Sequence, residues 1–217
     1  MSYSLISADI PWSYSNGGNG AAKNHYPTMT NAQIASLPVA ALAAPDCVLL
    51  MWATWPHLKF AMQLIDRYGF TYVTGLPWIK TTTPPVIDLF GELVAKPTYG
   101  TGFWVRGCSE PILIAKRGKA SPDIGDLVGL LAERILEHSR KPEDIYELAE
   151  ALVPLAPEPE PVSHLEMFAR RRRPRWDVFG HVEGSIALPE TAVRPSPSQR
   201  RIGYWSRGRR KTEGVSR

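Results

Sequence analysis

The stretch Ser4-Leu5-Ile6-Ser7-Ala8-Asp9-Ile10-Pro11-Trp12, close to the start of the chain, decides the fold. Its apolar first half predicts a buried strand. The strand ends at the carboxylate of Asp9, and Pro11 makes the following turn rigid before the large aromatic ring of Trp12. An acceptor beside an aromatic ring is the arrangement that an enzyme needs to hold a flat base by its exocyclic amine.

The rest of the sequence alternates strand and helix patterns. Cys47–Trp52 and Pro111–Ala115 are apolar runs typical of buried strands. Pro56–Tyr68 has helical spacing and stops before Gly69, and Pro142–Leu152 begins with proline and acidic residues. Strands that alternate with helices predict an α/β sheet, with a nucleotide-type site at the carboxyl ends of its strands.

Other segments give weaker patterns. Phe70–Lys80 is predicted to be extended, and 81–99 is predicted to be a long proline-containing loop. Phe103–Val105 and Leu165–Phe168 are strand-like, whereas Leu127–Glu137 is ambiguous between helix and strand by its periodicity.

Composition narrows the class of protein. The chain has 217 residues, of which 44% are hydrophobic, as in a globular domain. Its longest apolar runs are far below the roughly 20 residues that cross a bilayer, and we expect no secretory signal. Cys47 and Cys108 lie far apart without metal-ligand spacing, so we predict reduced, packed thiols and a cytoplasmic protein. His25, His57 and His164 likewise lack metal-ligand spacing and are predicted to be structural or surface residues.

Positive charge is concentrated at the C-terminal end. Residues 194–217 carry eight Arg or Lys and one acid, which is +7, so the formal net charge of +4 leaves −3 for residues 1–193. Two interpretations stay open: a solvated tail, or an arm that binds nucleic-acid phosphate, with Tyr204 and Trp205 as stacking surfaces. Because the composition beyond Gly184 cannot bury a core, we predict a folded domain over 1–184 and a disordered basic tail over 185–217.

Eight short stretches, in order and with compatible spacing, match a known family over about residues 3–184. They are Ala8–Trp12, Tyr26–Met29, Leu50–Trp52, Trp78–Lys80, Thr101–Trp104, Lys141–Tyr146, Glu166–Arg170 and Trp176–Gly180. In these stretches the chain resembles the MT-A-seventy (MT-A70) family of adenine-N6 methyltransferases, which includes the catalytic subunit of the complex that methylates adenosine in messenger RNA.

The resemblance implies a permuted Rossmann-like methyltransferase fold: a central, mostly parallel sheet with flanking helices, in which the catalytic strand comes first. It also implies S-adenosylmethionine as the methyl donor, bound within a methyltransferase domain over 1–184. The permutation accounts for the absence of a G-x-G-x-x-G sequence after the first strand, and Gly100-Thr101-Gly102 is not a dinucleotide fingerprint.

The first motif carries the predicted chemistry. Adenine's amine is a poor nucleophile because its lone pair is delocalised into the ring, so acceptors on its two N–H groups favour attack on a methyl sulfonium. We expect the Asp9 carboxylate and the Ile10 carbonyl to be those acceptors, and Trp12 to stack on the base. The family motif is usually Asp-Pro-Pro-Trp; here Ile10 replaces the first proline, and Pro11 still confines Ile10 to extended conformations.

The resemblance also implies donor and substrate contacts. For the donor they are Asp9, Lys141 (methionine carboxylate), Arg170 and His181 (ribose); His181 stands where the family usually has Asn. A solvated Lys141, a surface Arg170 and a structural His181 are the alternatives.

For the substrate, Tyr26 matches a family tyrosine near the target base, and a core tyrosine is the alternative. Arg171, Arg172 and Arg173 belong to a run too charged for burial, of which we expect at least part to face phosphate.

Three functions remain in competition. A DNA adenine-N6 methyltransferase of bacterial or phage type is the first, with RNA as the alternative substrate. A non-catalytic nucleic-acid-binding subunit is the third, and Asp9 and Trp12 argue against it. The sequence predicts nucleic acid as partner and no membrane, and leaves a homodimer or heterodimer open.

Overall fold

The computed structural model describes residues 2–13, 28–87, 93–100, 104–121, 131–134, 141–180 and 182–189. The strands are β1 Tyr3–Asp9, β2 Ala43–Trp52, β3 Thr71–Thr81, β4 Val86–Ile87, β5 Leu93–Val94, β6 Ser109–Arg117, β7 Leu131–Arg134, β8 His164–Ala169 and β9 Trp176–Gly180. The helices are α1 Asn31–Ala35, α2 Val39–Leu42, α3 Leu58–Arg67 and α4 Asp144–Leu152, and a 3₁₀ turn at Trp55–His57 leads into α3.

One sheet of the described residues orders its strands β7-β3-β6-β2-β1-β8-β9. Strand β6 runs antiparallel to β2 and β3, and all other neighbours are parallel. The first strand of the chain therefore lies inside the sheet, between β2 and β8, with Asp9 opposite Trp52. This confirms the predicted α/β class and the mostly parallel sheet.

Alternate residues of a strand point to opposite sides of the sheet, so the sheet has an apolar surface on each side. Helices cover both of these surfaces. The larger core contains Leu49 and Met51 of β2 together with Ala61, Leu64 and Ile65 of α3. The second core contains Val48, Leu50 and Trp52 of the same strand. The residues of α4 in that core are Ile145, Tyr146, Ala149 and Leu152. Strand β2 is buried on both faces, which is why it appears in the sequence as a continuous apolar run.

The structure revises several of the weaker predictions of secondary structure. The segment 81–99 contains the short hairpin β4–β5, and the ambiguous segment 127–137 contains β7. The strand predicted at 103–105 is wrong for Trp104 and Val105, which form a bend with their side chains 98% and 78% exposed; Phe103 lies outside the described residues. Strand β3, which precedes this bend along the chain, already pairs with β6 on one side and β7 on the other. Both of its sides therefore have a partner strand without Trp104 and Val105.

The chain stays attached to the sheet past Gly184. The N–H of Ile186 donates to the carbonyl of Val178 at 2.8 Å, and Ile186 and Leu188 pack against the larger core. Packing against the core thus continues to Leu188, and residues 190–217 of the predicted tail lie outside the described residues.

The described residues also bear on two other properties, membrane crossing and metal binding. No helix there is long and apolar enough to cross a membrane. No group of three or more His, Cys, Asp or Glu side chains there is placed to hold a metal ion. Cys47 and Cys108 are both free thiols, and burial raises the pKa of Cys47 to about 12.

Gly180 allows β9 to end close against β8. A Cβ at this position would come within 2.6 Å of the Ala169 backbone nitrogen and 2.9 Å of the Phe168 carbonyl carbon, and would also collide with the Ala169 oxygen. We expect Gly180→Ala to lower the free energy of unfolding by about 1–3 kcal/mol, as overpacking does. Denaturant unfolding tests this, with Gly107→Ala, which meets nothing within 4 Å, as the matched control. Equal stability of the two variants would contradict the proposed close approach.

Candidate active site

Asp9 is the last residue of β1, and a tight turn follows it. The Trp12 N–H donates to the Ile10 carbonyl at 2.9 Å, which closes a γ-turn centred on Pro11. Proline favours this turn because its ring fixes a negative φ. The Ile10 carbonyl predicted to accept from a base is therefore already bonded to Trp12, and its second lone pair is the one available for another donor.

A lysine from a distant part of the chain reaches Asp9. Lys141 lies just before α4, and its Nζ is 3.2 Å from Asp9 Oδ1 and 2.9 Å from Glu110 Oε2. The ammonium also lies over the rings of Trp52 and Trp78, 4.6 Å and 5.7 Å from their centroids. Two carboxylates and two aromatic faces thus hold one cation whose side chain is 13% exposed.

Glu110 and Lys80 are site residues that the sequence analysis did not identify. Glu110 lies near the start of β6, opposite Trp78 of β3, and its second oxygen pairs with Lys80 Nζ at 2.5 Å. Lys80 is the last residue of Trp78-Ile79-Lys80, one of the eight stretches that resemble the family. That resemblance was the sequence feature that could have identified it. Together Asp9, Lys141, Glu110 and Lys80 form a chain of alternating charges, which we call the ion cluster.

The ion cluster shifts the pKa of its members in different directions. Burial raises the pKa of Asp9, and the ammonium of Lys141 opposes this only in part. Burial acts in the same direction on Glu110, but two lysines contact it and together they lower its pKa. Burial would lower the pKa of Lys141, yet Asp9 and Glu110 outweigh that and raise it. Lys141 therefore remains a cation, and Asp9 is a stronger proton acceptor than an ordinary carboxylate.

Glu166 of β8 is a second, partly buried carboxyl on the same side of the sheet as Asp9. Its Oε1 accepts a hydrogen bond from the Tyr146 hydroxyl at 3.0 Å, whereas Oε2 is buried without a hydrogen-bond partner. Burial, and more weakly the charge of Asp9, raise its pKa to about 7. A buried carboxyl oxygen without a partner is a position where a ligand N–H or O–H can bind.

Trp12 is held in the larger core. Its side chain is 4% exposed, and its Nε1 donates to the Trp52 carbonyl at 3.2 Å. One ring face stacks on His57 at 5.2 Å between centroids with the planes 20° apart, and Phe60 makes an edge contact at 6.3 Å. These are the contacts of a packed residue, and base stacking by Trp12 stays a prediction.

The predicted arginine contacts divide into two groups. Arg171 and Arg173 bond to Glu143, and Arg173 also reaches Glu150 at 3.2 Å. Both guanidinium groups lie over the Tyr146 ring, at 5.4 Å and 4.5 Å. The side chains of Arg170 and Arg172 are exposed, so this part of the run is accessible to a ligand. Phosphate binding by Arg171 and Arg173 would require them to exchange these partners.

Two predicted site residues, Tyr26 and His181, lie outside the described residues. Their flanks are described. The Met29 N–H donates to the Pro11 carbonyl at 3.0 Å, which joins the end of the stretch 26–29 to the turn after Asp9. Gly180, before His181, ends β9 next to β8, the strand that carries Glu166. The flanks of both residues thus lie beside the same end of the sheet.

The raised pKa of Glu166 predicts a pH-dependent stability. Because the folded-state pKa of about 7 exceeds the reference value of 4.5, the carboxyl's stabilising contribution is complete below pH 4.5 and is lost as the pH rises through 7. Glu166→Gln, which keeps an acceptor for Tyr146, should remove a loss of up to about 3 kcal/mol in the free energy of unfolding between pH 5 and pH 8.

Urea unfolding at both pH values measures this difference. The exposed Glu160→Gln serves as the control and should follow the wild-type pH dependence. A wild-type pH dependence in Glu166→Gln would show that Glu166 is ionised normally.

Comparisons with known proteins identify the family. A model of the MT-A70 family matches residues 3–182. The type II methyltransferase M.MunI from a Mycoplasma species is 26% identical over 214 residues, covering 88% of this chain and 80% of that protein. The human N(6)-adenine-specific methyltransferase METTL4 is 27% identical over 209 residues, covering 86% of this chain and 40% of that protein.

A third relative is the human N(6)-adenosine-methyltransferase catalytic subunit METTL3, 23% identical over 197 residues, covering 88% of this chain and 30% of that protein. The chain thus spans less than half the length of the two human relatives. MT-A70 methyltransferases are generally S-adenosylmethionine-dependent. The family match covers most of the chain, which therefore belongs to the MT-A70 family and is a methyltransferase specific for the N6 position of adenine.

Proposed function

We propose that this protein transfers the methyl group of S-adenosylmethionine to the N6 amine of adenine in DNA. The observation that carries the proposal is the contact between Asp9, at the carboxyl end of the first strand, and Lys141 before α4. DNA is proposed because the chain spans 80% of a type II methyltransferase but 30% of the adenosine methyltransferase METTL3. RNA is the alternative substrate.

The residues around Asp9 fit the donor. S-adenosylmethionine carries a carboxylate and an ammonium group, which require a cation and an acceptor. Lys141 is a partly buried cation beside Asp9, and Glu166 offers a buried oxygen with no hydrogen-bond partner. We assign Lys141 to the donor carboxylate and, by resemblance, Arg170 and His181 to its ribose. When bound, S-adenosylmethionine supplies an electrophilic methyl group on a sulfonium.

Asp9 is proposed to orient the target amine. Its carboxylate accepts one N–H, and the free lone pair of the Ile10 carbonyl accepts the other. The amine must lose a proton when it gains the methyl group, and the raised pKa of Asp9 makes that carboxylate an effective acceptor. Preorganised acceptors of this kind stabilise developing charge without reorganisation.

Glu110 is proposed to set the position of Lys141. The carboxylate holds the ammonium at 2.9 Å, so Lys141 does not depend on Asp9 alone for its place. Lys80 in turn neutralises the other oxygen of Glu110. This arrangement keeps a cation available for the donor while the cluster as a whole stays neutral.

Nucleic-acid affinity is assigned to basic residues outside the ion cluster. Among the described residues of the arginine run, Arg172 has an exposed side chain, and we assign contact with phosphate to it. The basic residues of 194–217 are proposed to add sequence-independent attraction. Tyr26 and Trp12 are assigned to the target base by resemblance.

The substrate is tested by expressing the chain in a host that lacks N6-methyladenine. Mass spectrometry of nucleosides from DNA and RNA should detect N6-methyldeoxyadenosine and no excess of N6-methyladenosine. The reverse pattern would establish RNA as the substrate. Methylation of neither would contradict the proposed activity.

Asp9→Ala should lower kcat about 100-fold or more, because it removes a preorganised group that orients the amine. Lys141 keeps Glu110 as a partner, so the fold should survive. Turnover on an adenine-containing duplex measures the effect. The control is Asp46→Ala, which removes an exposed carboxylate from β2 and should keep wild-type kcat. Wild-type turnover in Asp9→Ala would end the proposed mechanism.

Lys141→Met should weaken S-adenosylmethionine binding by about ten- to a hundredfold, the value of one charge-assisted hydrogen bond. Lys80→Met is the matched control, since it removes the other lysine from Glu110 but leaves Lys141 beside Asp9. Its donor affinity should stay near wild type. Calorimetry at a temperature where both variants are folded makes the comparison, and equal donor affinities would remove Lys141 from the donor site.

A further inference from the structure

His57 occupies an unusual position at the start of α3. It is the N-cap residue of that helix, yet its side chain makes no capping hydrogen bond. Its ring instead bonds in two other directions: Nε2 is 2.9 Å from the Ser13 carbonyl, and Nδ1 is 2.9 Å from Thr54 Oγ1. Helix capping therefore does not explain this histidine.

The hydrogen bonds fix which nitrogen carries the proton. A carbonyl only accepts, so Nε2–H must donate to Ser13, and in the neutral ring Nδ1 accepts from the Thr54 hydroxyl. Thr54 thus holds the tautomer that His57 needs in order to bind Ser13. Bonds at both ring nitrogens also fix the plane of the imidazole.

The fixed imidazole plane is in contact with the turn that follows Asp9. It stacks on Trp12, with the two planes 20° apart, while its Nε2 holds the next residue, Ser13. The backbone N–H of Trp12 in turn donates to the Ile10 carbonyl. His57 therefore contacts the last residue of the γ-turn and the residue after it, so a shift of its ring would be transmitted to the Ile10 carbonyl.

We propose that His57 is a positioning residue for methyl transfer, which holds the turn 10–13 so that the acceptors at Asp9 and Ile10 stay aligned with the target amine. The inference rests on the proposed function. It assigns His57 no contact with donor or base, because its ring nitrogens are bonded to Thr54 and Ser13. Its effect is exerted through Trp12 and Ser13.

Two substitutions separate the ring from its hydrogen bonds. His57→Phe keeps a flat ring for Trp12 but cannot bind Ser13, whereas the amide of His57→Gln can still donate to the Ser13 carbonyl. We expect kcat to fall about tenfold or more in His57→Phe and to stay within about threefold of wild type in His57→Gln, since small misplacements of reacting groups are costly. The KM and calorimetric affinity for S-adenosylmethionine should be unchanged in both.

A double-mutant cycle tests whether His57 acts through the turn. In the Asp9→Ala background the Phe substitution should cause a smaller further loss of kcat than in the wild type, because one of the two acceptors that His57 aligns is already absent. Thr54→Val replaces the hydroxyl that bonds to His57 Nδ1 and should also lower kcat. It is the test variant if His57→Phe does not fold. Lys59→Ala, which changes an exposed side chain of α3, is the control for general effects of a substitution in this helix, and its kcat should equal that of the wild type.

The outcomes are distinguishable. Wild-type kcat in His57→Phe, or in Thr54→Val if the first variant does not fold, would overturn the inference while leaving the proposed function intact. Equal losses of kcat and donor affinity in Phe and Gln variants, additive with Asp9→Ala, would show a purely structural histidine and also overturn it. Absence of methyl transfer by the wild-type chain would overturn the proposed function and this inference together.

Discussion

The hydrogen-bonded ion pair between Asp9 and Lys141 is the contact on which the site depends. An ammonium or carboxylate in this position would lose several kcal/mol of hydration if it had no partner, so Asp9 and Lys141 each lower the cost of burying the other. Glu110 and Lys80 extend the pair to two acids and two bases, which makes the partly buried cluster neutral. The constraint is mutual: the cluster forms only when β1, β3, β6 and the segment before α4 are all in place.

A second constraint comes from Pro11. The family motif usually has proline at both central positions, and Ile10 replaces the first of them here. The γ-turn is closed by the Trp12 N–H and the Ile10 carbonyl, and the residue whose φ must suit that turn is Pro11. The substitution therefore leaves the turn-forming proline unchanged. Ile10 is buried in the larger core, a contact that its branched side chain makes well.

Sequence patterns predicted the elements that are buried on both faces, such as β2 and β6, because their apolar runs are continuous. The short helices α1 and α2 were not predicted, although Thr30 and Gln33 form a capping box that marks the start of α1. Glu110 escaped notice because its lysine partners lie 30 and 31 residues away along the chain, and only the antiparallel β6 brings it to the site. Sequence could not show that Trp12 packs inward, since a tryptophan after a strand suits a core and a platform equally.

The placement of the turn follows from the period of two along β1. Asp9 continues the series of Leu5 and Ser7 toward the face covered by α4, where Lys141 meets it. Ile10 and Trp12 enter the opposite core, under α3, where His57 stacks on the indole. Charge pairing thus fixes the turn from one face of the sheet and apolar packing fixes it from the other. An acceptor held in this way cannot rotate toward solvent without breaking contacts on both faces, and this is the rigidity that orientation of a weak nucleophile demands.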